Sequence, residues 1–217
     1  MIKKIYHGSN LEIKKPTYGI GNINNDYGLG FYCCSSKTLA DEWAARKPDS
    51  FGVVNEYYIK EDGLKILDLT KPPYDNVLNW IAILMHFRKL PAKLIGQCSR
   101  ELKYLEDNYY INVNDYDVVI GYRADDNYFQ FPQALLRSEV LIESIQEIFK
   151  LGKLGKQYVL ISEKAFSKIV FVDSFESKYD YKKYHDRKEK ADKEYLSILE
   201  RDRYKNGMRM IDLVRDK

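Results

Sequence analysis

A flexible turn, a short aromatic strand and a helix cap follow one another in the stretch Gly28-Leu29-Gly30-Phe31-Tyr32-Cys33-Cys34-Ser35-Ser36. Glycine tolerates backbone conformations that other residues avoid, so the two glycines favour a tight turn. Residues 30–34 are predicted to form a strand. Ser35 or Ser36 can cap a helix that runs to residue 46. On its own, this Gly-x-Gly pattern indicates only a hairpin turn.

The flanking sequence predicts short strands interleaved with helices, which is typical of the mixed α+β class. Strands are predicted at residues 2–7, 53–59, 65–69, 117–122, 157–161 and 168–172. Helices are predicted at residues 76–88 and 92–107, which form a hairpin, at 138–150 with Ser138 as the cap and Gly152 as the stop, and at 163–166. Residues 8–28 lack periodicity and are predicted to form a loop over the functional site.

The length of 217 residues fits one domain with an appendage. The domain is predicted to cover residues 1–175, with a helical insertion at about 75–107. From residue 176 to residue 217 charged residues and tyrosines dominate. This tail is predicted to contain an exposed helix at 181–204 and a final docking turn at 210–214.

The function of the tail has three interpretations from sequence. It can pack back on the domain through Leu196, Leu199 and Ile211, or present a docking surface to a partner protein. It can also serve as a basic handle for RNA, through Lys182, Lys183, Arg187, Lys188 and Lys190. Acidic residues interrupt that basic run, and phosphate binding prefers an unbroken positive face. Of the two binding interpretations, a partner protein is therefore favoured.

Composition and motifs narrow the classes of protein further. The chain is 45% hydrophobic, carries a net charge of +3, and has no apolar run near the roughly 20 residues that span a bilayer. Its first residues lack the pattern of a signal peptide, so a cytoplasmic location is expected. Three cysteines and three scattered histidines predict neither a structural disulfide nor a metal site. Rossmann and P-loop phosphate motifs are not found in the sequence.

Several polar residues lie where a binding site can form. His7 ends the first predicted strand directly before Gly8, where backbone can approach a ligand closely. Asp125 and Asp126 follow a predicted strand, and they fit either a solvated turn or a general base for a cationic acceptor. Arg123 beside them fits contact with a pyrophosphate or pairing with these acids.

In their order along the chain, four elements resemble the His-Tyr-Glu pattern of the ADP-ribosyltransferases. They are His7 in Tyr6-His7-Gly8-Ser9, Tyr32 after Gly28-Leu29-Gly30, Trp43 eleven positions later, and Gln157 in Gln157-Tyr158-Val159. With Asp26-Tyr27, Ile120-Gly121 and Ala124-Asp125-Asp126, the pattern is similar to that of an uncharacterised bacterial domain family within that superfamily. The resemblance spans roughly residues 1–173 and implies a core of two small split sheets with NAD in the cleft between them.

The resemblance also implies roles for the residues. The His7 imidazole would hydrogen-bond the adenosine-side ribose, the Gly8 main chain would take the nicotinamide amide, and Ser9 belongs to the same NAD-binding motif. Tyr32 would stack on one face of the nicotinamide, and Trp43 would close the other or anchor its helix in the core. Asp125 or Asp126 would act on the acceptor.

Gln157 departs from the family pattern, which has a carboxylate at this position. A glutamine keeps a hydrogen bond through its amide oxygen but carries no charge. Three consequences remain open: transfer of a single ADP-ribose, use of another carboxylate such as Asp125 or Asp126, or loss of catalysis with NAD binding retained.

The resemblance therefore implies a mono-ADP-ribosyltransferase that moves ADP-ribose from NAD to a protein or nucleic acid. By analogy with compact bacterial members of the superfamily, it also implies a toxin–antitoxin or defence role with a cognate partner protein. The enzymatic alternative is an NAD glycohydrolase, in which water replaces the acceptor. The non-enzymatic alternative is an inactive NAD-binding module.

Overall fold

The computed structural model describes residues 1–45, 50–124, 130–151, 155–178 and 180–215, and for residues 181–184 it describes the main chain. The strands are β1 Ile2–Ser9, β2 Phe31–Cys34, β3 Phe51–Lys60, β4 Ile66–Asp68, β5 Val118–Tyr122, β6 Lys156–Leu160 and β7 Ile169–Lys178. The helices are α1 Lys37–Ala44, α2 Val77–Phe87, α3 Ala92–Gln97, α4 Ser99–Tyr109, α5 Gln130–Leu136, α6 Ile145–Ile148, α7 Glu163–Ser167, α8 Tyr181–Tyr204 and α9 Met210–Arg215. The predicted α+β class is confirmed.

The described strands form one open sheet of seven strands in the order β4-β5-β6-β2-β1-β3-β7. Strands β4 and β5 run parallel, and the other neighbours run antiparallel. Strands β1 and β2 share a single paired position, Tyr6 opposite Cys34. The prediction of two separate small sheets is therefore wrong as stated, because this pair joins the two halves. Beyond it the ladder between β1 and β2 does not continue.

The loop between β1 and β2 is held at both ends by buried side chains. Near its start, the main-chain nitrogen of Ile13 donates to Asn55 at 2.7 Å, and the Tyr57 hydroxyl donates to the Ile13 carbonyl at 2.5 Å. Near its end, the buried Tyr27 donates its hydroxyl to the carbonyl of Tyr122 at 2.5 Å. A loop is confirmed for residues 10–28 of the predicted 8–28, and these contacts determine where it lies.

The largest core cluster surrounds α2, which is apolar on all sides and therefore buried. Trp80 is fully buried, and its indole nitrogen donates to the Tyr122 carbonyl at 3.1 Å. The helix predicted at 92–107 is divided at Cys98, where α3 ends and α4 begins. The predicted helical hairpin is thus a set of three helices.

Ser138 does not cap a helix in its own segment, contrary to the prediction. It has a positive φ of 57°, and its hydroxyl oxygen accepts from the main-chain nitrogen of Ile211 at 2.9 Å. The segment that follows contains a 3₁₀ turn at Ile142–Ser144 and the short helix α6. The apolar residues of this segment pack on the core without a continuous helix, and the predicted stop at Gly152 lies outside the described residues.

The tail packs on the domain, in agreement with one of its three interpretations. Ala191, Tyr195 and Ile198 form the buried stripe of α8, and Met210 anchors α9. Leu196, a predicted packing residue, is 63% exposed because it lies off this stripe. The predicted domain boundary after residue 175 falls within β7, which extends to Lys178. Among the described helices, none combines the length and apolar character needed to cross a membrane.

Candidate functional site

A cavity of about 670 Å³ opens where the β1–β2 ladder stops. Its walls come from the loop between β1 and β2, from those two strands, from α1, from β6, and from the residues that follow α2 and β5. The lining includes His7, Gly8, Ile13, Lys15, Pro16, Thr17, Ile20, Asn25, Asp26, Phe31, Tyr32, Cys33, Cys34, Trp43, Arg88, Arg123, Ala124 and Gln157. Five of the predicted site residues therefore meet in one cleft, namely His7, Gly8, Tyr32, Trp43 and Gln157.

His7 holds β1 and β2 together beside the cavity. Its Nδ1 atom lies 2.7 Å from the carbonyl oxygen of Tyr32, and its ring packs on Phe31 with 4.3 Å between ring centres. A carbonyl oxygen only accepts, so Nδ1 carries the proton. Burial lowers the pKa of His7, and the neutral ring is favoured. The Nε2 atom is then an acceptor, suited to a ligand hydroxyl.

Tyr32 lines the cavity, and its hydroxyl is engaged by the turn before β2. This hydroxyl donates to the Gly28 carbonyl at 2.6 Å and accepts from the Tyr27 main-chain nitrogen at 3.0 Å. Gly28 has a φ of +74°, a conformation that L side chains rarely adopt. Burial raises the pKa of Tyr32 well above the ordinary value. The hydroxyl thus orients the ring and fixes the turn.

Trp43 reaches the cavity from α1, which Ser36 caps by accepting from the Leu39 main-chain nitrogen at 3.4 Å. The guanidinium carbon of Arg123 lies 3.6 Å from the centre of the Trp43 ring. A cation over an indole face is a favourable arrangement. That face is covered by Arg123, so the expected nicotinamide sandwich between Tyr32 and Trp43 would have to use the other face.

Gly8 is needed for packing as well as for the cavity wall. A Cβ atom at this position would meet the Ala40 carbonyl and the Cβ atom of Trp43 within 3 Å. Ser9 does not line the cavity; its hydroxyl accepts from the Leu11 main-chain nitrogen at 3.1 Å. The absent side chain of Gly8 therefore allows α1 to lie close against β1.

Gln157 is buried on β6, where it is paired with Cys34 of β2 and Gly121 of β5. Its Nε2 atom donates to Oδ2 of Asp26 at 3.0 Å. Its Oε1 atom is buried and has no hydrogen-bond partner within the part of the chain that the structure describes. An unsatisfied buried acceptor on a cavity wall indicates a place for a ligand donor.

Asp26 is the carboxylate beside Gln157, and it is 4% exposed. Its Oδ2 atom also accepts from the Ala124 main-chain nitrogen at 2.9 Å, and Oδ1 lies 3.5 Å from a terminal nitrogen of Arg88. Burial raises the pKa of Asp26 to about 6, although Ala124, Arg88, Gln157 and Arg123 act to lower it. The site thus contains an acid that is mostly ionised at neutral pH.

Two groups in this site, Asp26 and Arg88, had no role assigned from sequence. Asp26 is 131 positions from Gln157, and no spacing rule links the two residues. Asp125 and Asp126, the predicted acidic pair, lie outside the described residues. The sequence signal that could have identified Asp26 is its place directly before the Tyr27-Gly28 turn that carries β2 into the site.

The described residues contain no group of three or more His, Cys, Asp or Glu arranged to hold a metal ion. Comparison with known proteins gives one family match. The model of a family described as a protein of unknown function (DUF3990) matches residues 3–171, well over half of the chain. Neither a curated protein nor a solved structure matches significantly. The matched span includes every residue that lines the cavity.

Proposed function

We propose that this chain, which belongs to the DUF3990 family of unknown function, binds NAD in the cleft and transfers its ADP-ribose to a macromolecular acceptor. One observation carries the proposal. His7, Tyr32 and Gln157, the three positions that resemble the His-Tyr-Glu pattern, come from distant segments and line the same cavity. If the three short motifs resembled the family pattern only by chance, there would be no reason for these residues to line the same cavity.

The size and charge of the cavity support a phosphate-containing ligand with aromatic groups. Its volume of about 670 Å³ lies within the range of small-molecule and cofactor sites. Arg88, Arg123 and Lys15 bring cationic groups to its wall, which suits a pyrophosphate. The rings of Tyr32 and Trp43 offer surfaces for a nicotinamide or adenine ring.

The polar atoms support recognition of ribose hydroxyls. The Nε2 atom of His7 accepts, and so does the buried Oε1 atom of Gln157. A ligand group that meets either atom must donate, and a ribose offers hydroxyl donors. In the proposed reaction the bond from nicotinamide nitrogen to ribose C1′ breaks, and nicotinamide leaves with the electron pair. The acceptor attacks C1′ through oxygen or nitrogen and releases its proton to solvent.

The experiment combines binding with product analysis. Calorimetry with NAD should give micromolar-range binding to the wild-type protein and a several-fold weaker affinity for Tyr32→Ala. Tyr58→Ala is the matched control, because Tyr58 is an exposed tyrosine on β3 that does not line the cavity. Unchanged affinity in Tyr32→Ala would overturn the site assignment.

Labelled NAD distinguishes the three candidate activities. Incubation with whole-cell lysate should release nicotinamide and transfer label to macromolecules, which protease or nuclease then identifies as protein or nucleic acid. Nicotinamide release without transfer would indicate an NAD glycohydrolase. Binding without nicotinamide release would indicate an NAD-binding module. A toxin–antitoxin role further predicts growth arrest on expression that Gln157→Ala relieves.

A further inference from the structure

Two donors converge on one oxygen atom of Asp26. The Ala124 main-chain nitrogen lies 2.9 Å from Oδ2, and the side-chain nitrogen of Gln157 lies 3.0 Å from the same atom. A main-chain N–H group can only donate, so Oδ2 must be an acceptor. Gln157 must therefore turn its NH₂ group toward Asp26. In the reverse orientation, Oε1 of Gln157 and Oδ2 of Asp26, both acceptors, would lie against each other.

This contact determines where the other end of the amide points. Once the NH₂ group of Gln157 is committed to Asp26, the direction of the Oε1 atom is fixed. That atom is buried, lacks a hydrogen-bond partner among the described residues, and belongs to a side chain on the cavity wall. A free amide could offer either its donor or its acceptor to a ligand, whereas the atom of this amide that has no partner is the acceptor.

We propose that Asp26 is a positioning residue that directs Oε1 of Gln157 toward a ribose hydroxyl and supplies the negative charge that position 157 lacks. The role of Asp26 in turnover rests on the proposed function, whereas its control of the Gln157 amide does not. The two residues together then do what a single carboxylate does in the pattern that this chain resembles. Oε1 of Gln157 accepts from the ligand, and the negative charge lies on Asp26, which is hydrogen-bonded to the same amide group.

The surroundings of Asp26 make its charge effective. The carboxylate is 4% exposed, and interactions between charges strengthen where water is excluded. Arg88 lies 3.5 Å from the other carboxylate oxygen, Oδ1, and its positive charge favours the ionised form. A negative charge at this place favours a ribose that becomes cationic as nicotinamide leaves.

The first experiment places a carboxylate at position 157 and needs no ligand. In Gln157→Glu, a protonated glutamic acid has nearly the shape of glutamine, donates its O–H group to Asp26 and keeps a carbonyl oxygen toward the cavity. Loss of that proton would leave two carboxylates in contact, which raises the upper apparent pKa of the pair. Carbon-13 NMR of labelled Glu and Asp carboxyl carbons, with wild-type spectra for subtraction, measures this value.

The expected result is an upper apparent pKa at least about 2 units above the ordinary glutamate value of roughly 4.3. In the double variant with Asp26→Asn, this pKa should fall by at least about 1 unit, since one of the two charges is gone. Arg88 and Arg123 face position 26 in both proteins, and the neighbouring Tyr27 and Tyr32 stay protonated. Equal pKa values in the two proteins would overturn the proposed contact.

The second experiment tests the charge alone, through Asp26→Asn. An asparagine oxygen can still accept from Ala124 and Gln157, so the orientation of the amide is retained while the charge is removed. Nicotinamide release should fall about 10- to 100-fold, with NAD affinity changed by less than about threefold. Unchanged turnover would overturn the role of the charge.

The two experiments separate this inference from the proposed function. If wild-type protein does not bind NAD, the proposed function fails, and the NMR titration still decides whether Asp26 controls position 157. If wild-type protein cleaves NAD and Asp26→Asn does so at the same rate, the proposed function stands and the charge role of Asp26 fails.

Discussion

His7 and Tyr32 are joined by a hydrogen bond of 2.7 Å from the imidazole Nδ1 atom to the main-chain carbonyl oxygen. The bond crosses from β1 to β2 just beyond Tyr6 and Cys34, the one position where these strands pair. A side chain therefore closes the sheet where the backbone ladder ends. The same bond assigns the proton to Nδ1 and leaves Nε2 as an acceptor.

From this contact we predict that His7→Phe weakens NAD binding about 3- to 10-fold, the usual worth of one hydrogen bond. Phenylalanine keeps the ring contact with Phe31 but has neither nitrogen. Burial lowers the pKa of His7, so protonation of this ring should leave wild-type affinity unchanged between about pH 8 and pH 7. Calorimetry across this range checks both statements, and an affinity that falls as the pH approaches 7 would contradict the second.

For Gln157→Ala, the predicted effect falls on turnover more than on affinity. Removal of a group that acts mainly on the developing ribose cation costs on the order of 100-fold in rate. Steady-state nicotinamide release, read together with calorimetric affinity for NAD, measures the two effects. Equal losses of affinity and turnover would instead assign Gln157 to ground-state binding.

Asp26→Asn should stabilise the protein at neutral pH, although it is expected to impair turnover. The pKa of Asp26 is raised to about 6, so the folded state binds this proton more tightly than the unfolded chain does. Between about pH 4 and pH 6, wild-type stability therefore falls as pH rises. At pH 7 the asparagine variant should be more stable by about 2 to 3 kcal/mol.

Denaturant unfolding of both proteins at several pH values measures this difference. The advantage of the variant should shrink as the pH is lowered from 6 to about 4 and should vanish below about pH 3, where Asp26 is protonated in both states. Comparison of the two proteins cancels the contribution of His7, which titrates in both. A difference that grows on acidification would show that the charge of Asp26 stabilises the fold.

Gly8→Ala should destabilise the protein by at least about 2 kcal/mol, because the new methyl group would push α1 away from β1. Gly96→Ala is the matched control, since a Cβ atom at this position of α3 meets nothing within 4 Å. There alanine should be neutral or should stabilise by up to about 1 kcal/mol. Thermal unfolding without ligand measures both effects. If Gly8→Ala unfolded at the same midpoint as Gly96→Ala, the small size of Gly8 would serve ligand binding alone.

The acidic pair Asp125 and Asp126 keeps its predicted role on the acceptor. Asp125→Asn and Asp126→Asn, made separately, should lower transfer of label to macromolecules while nicotinamide release changes little. A parallel fall of both would assign the acids to NAD cleavage. Transfer at the wild-type level in both variants would make the pair structural.

Local sequence was enough to predict most of the elements of this fold. Alternation of side chains predicted β3, a compact apolar run predicted β5, and Ser36, one of the two predicted caps, caps α1. Local signals failed where neighbouring segments decide the outcome. Cys98 divides a helix that periodicity alone would continue, and Ser138 contacts Ile211 of the tail rather than its own segment.

The resemblance carried by the order of His7, Tyr32 and Gln157 predicted that these three residues share one cleft, and all three line the same cavity. Only the tertiary structure brought Asp26 to Gln157, placed Arg123 over Trp43 and assigned the small size of Gly8 to helix packing. The physical reason is that strand and turn propensities act between near neighbours. Burial, electrostatic pairing and steric fit act between segments that only the folded sheet brings together.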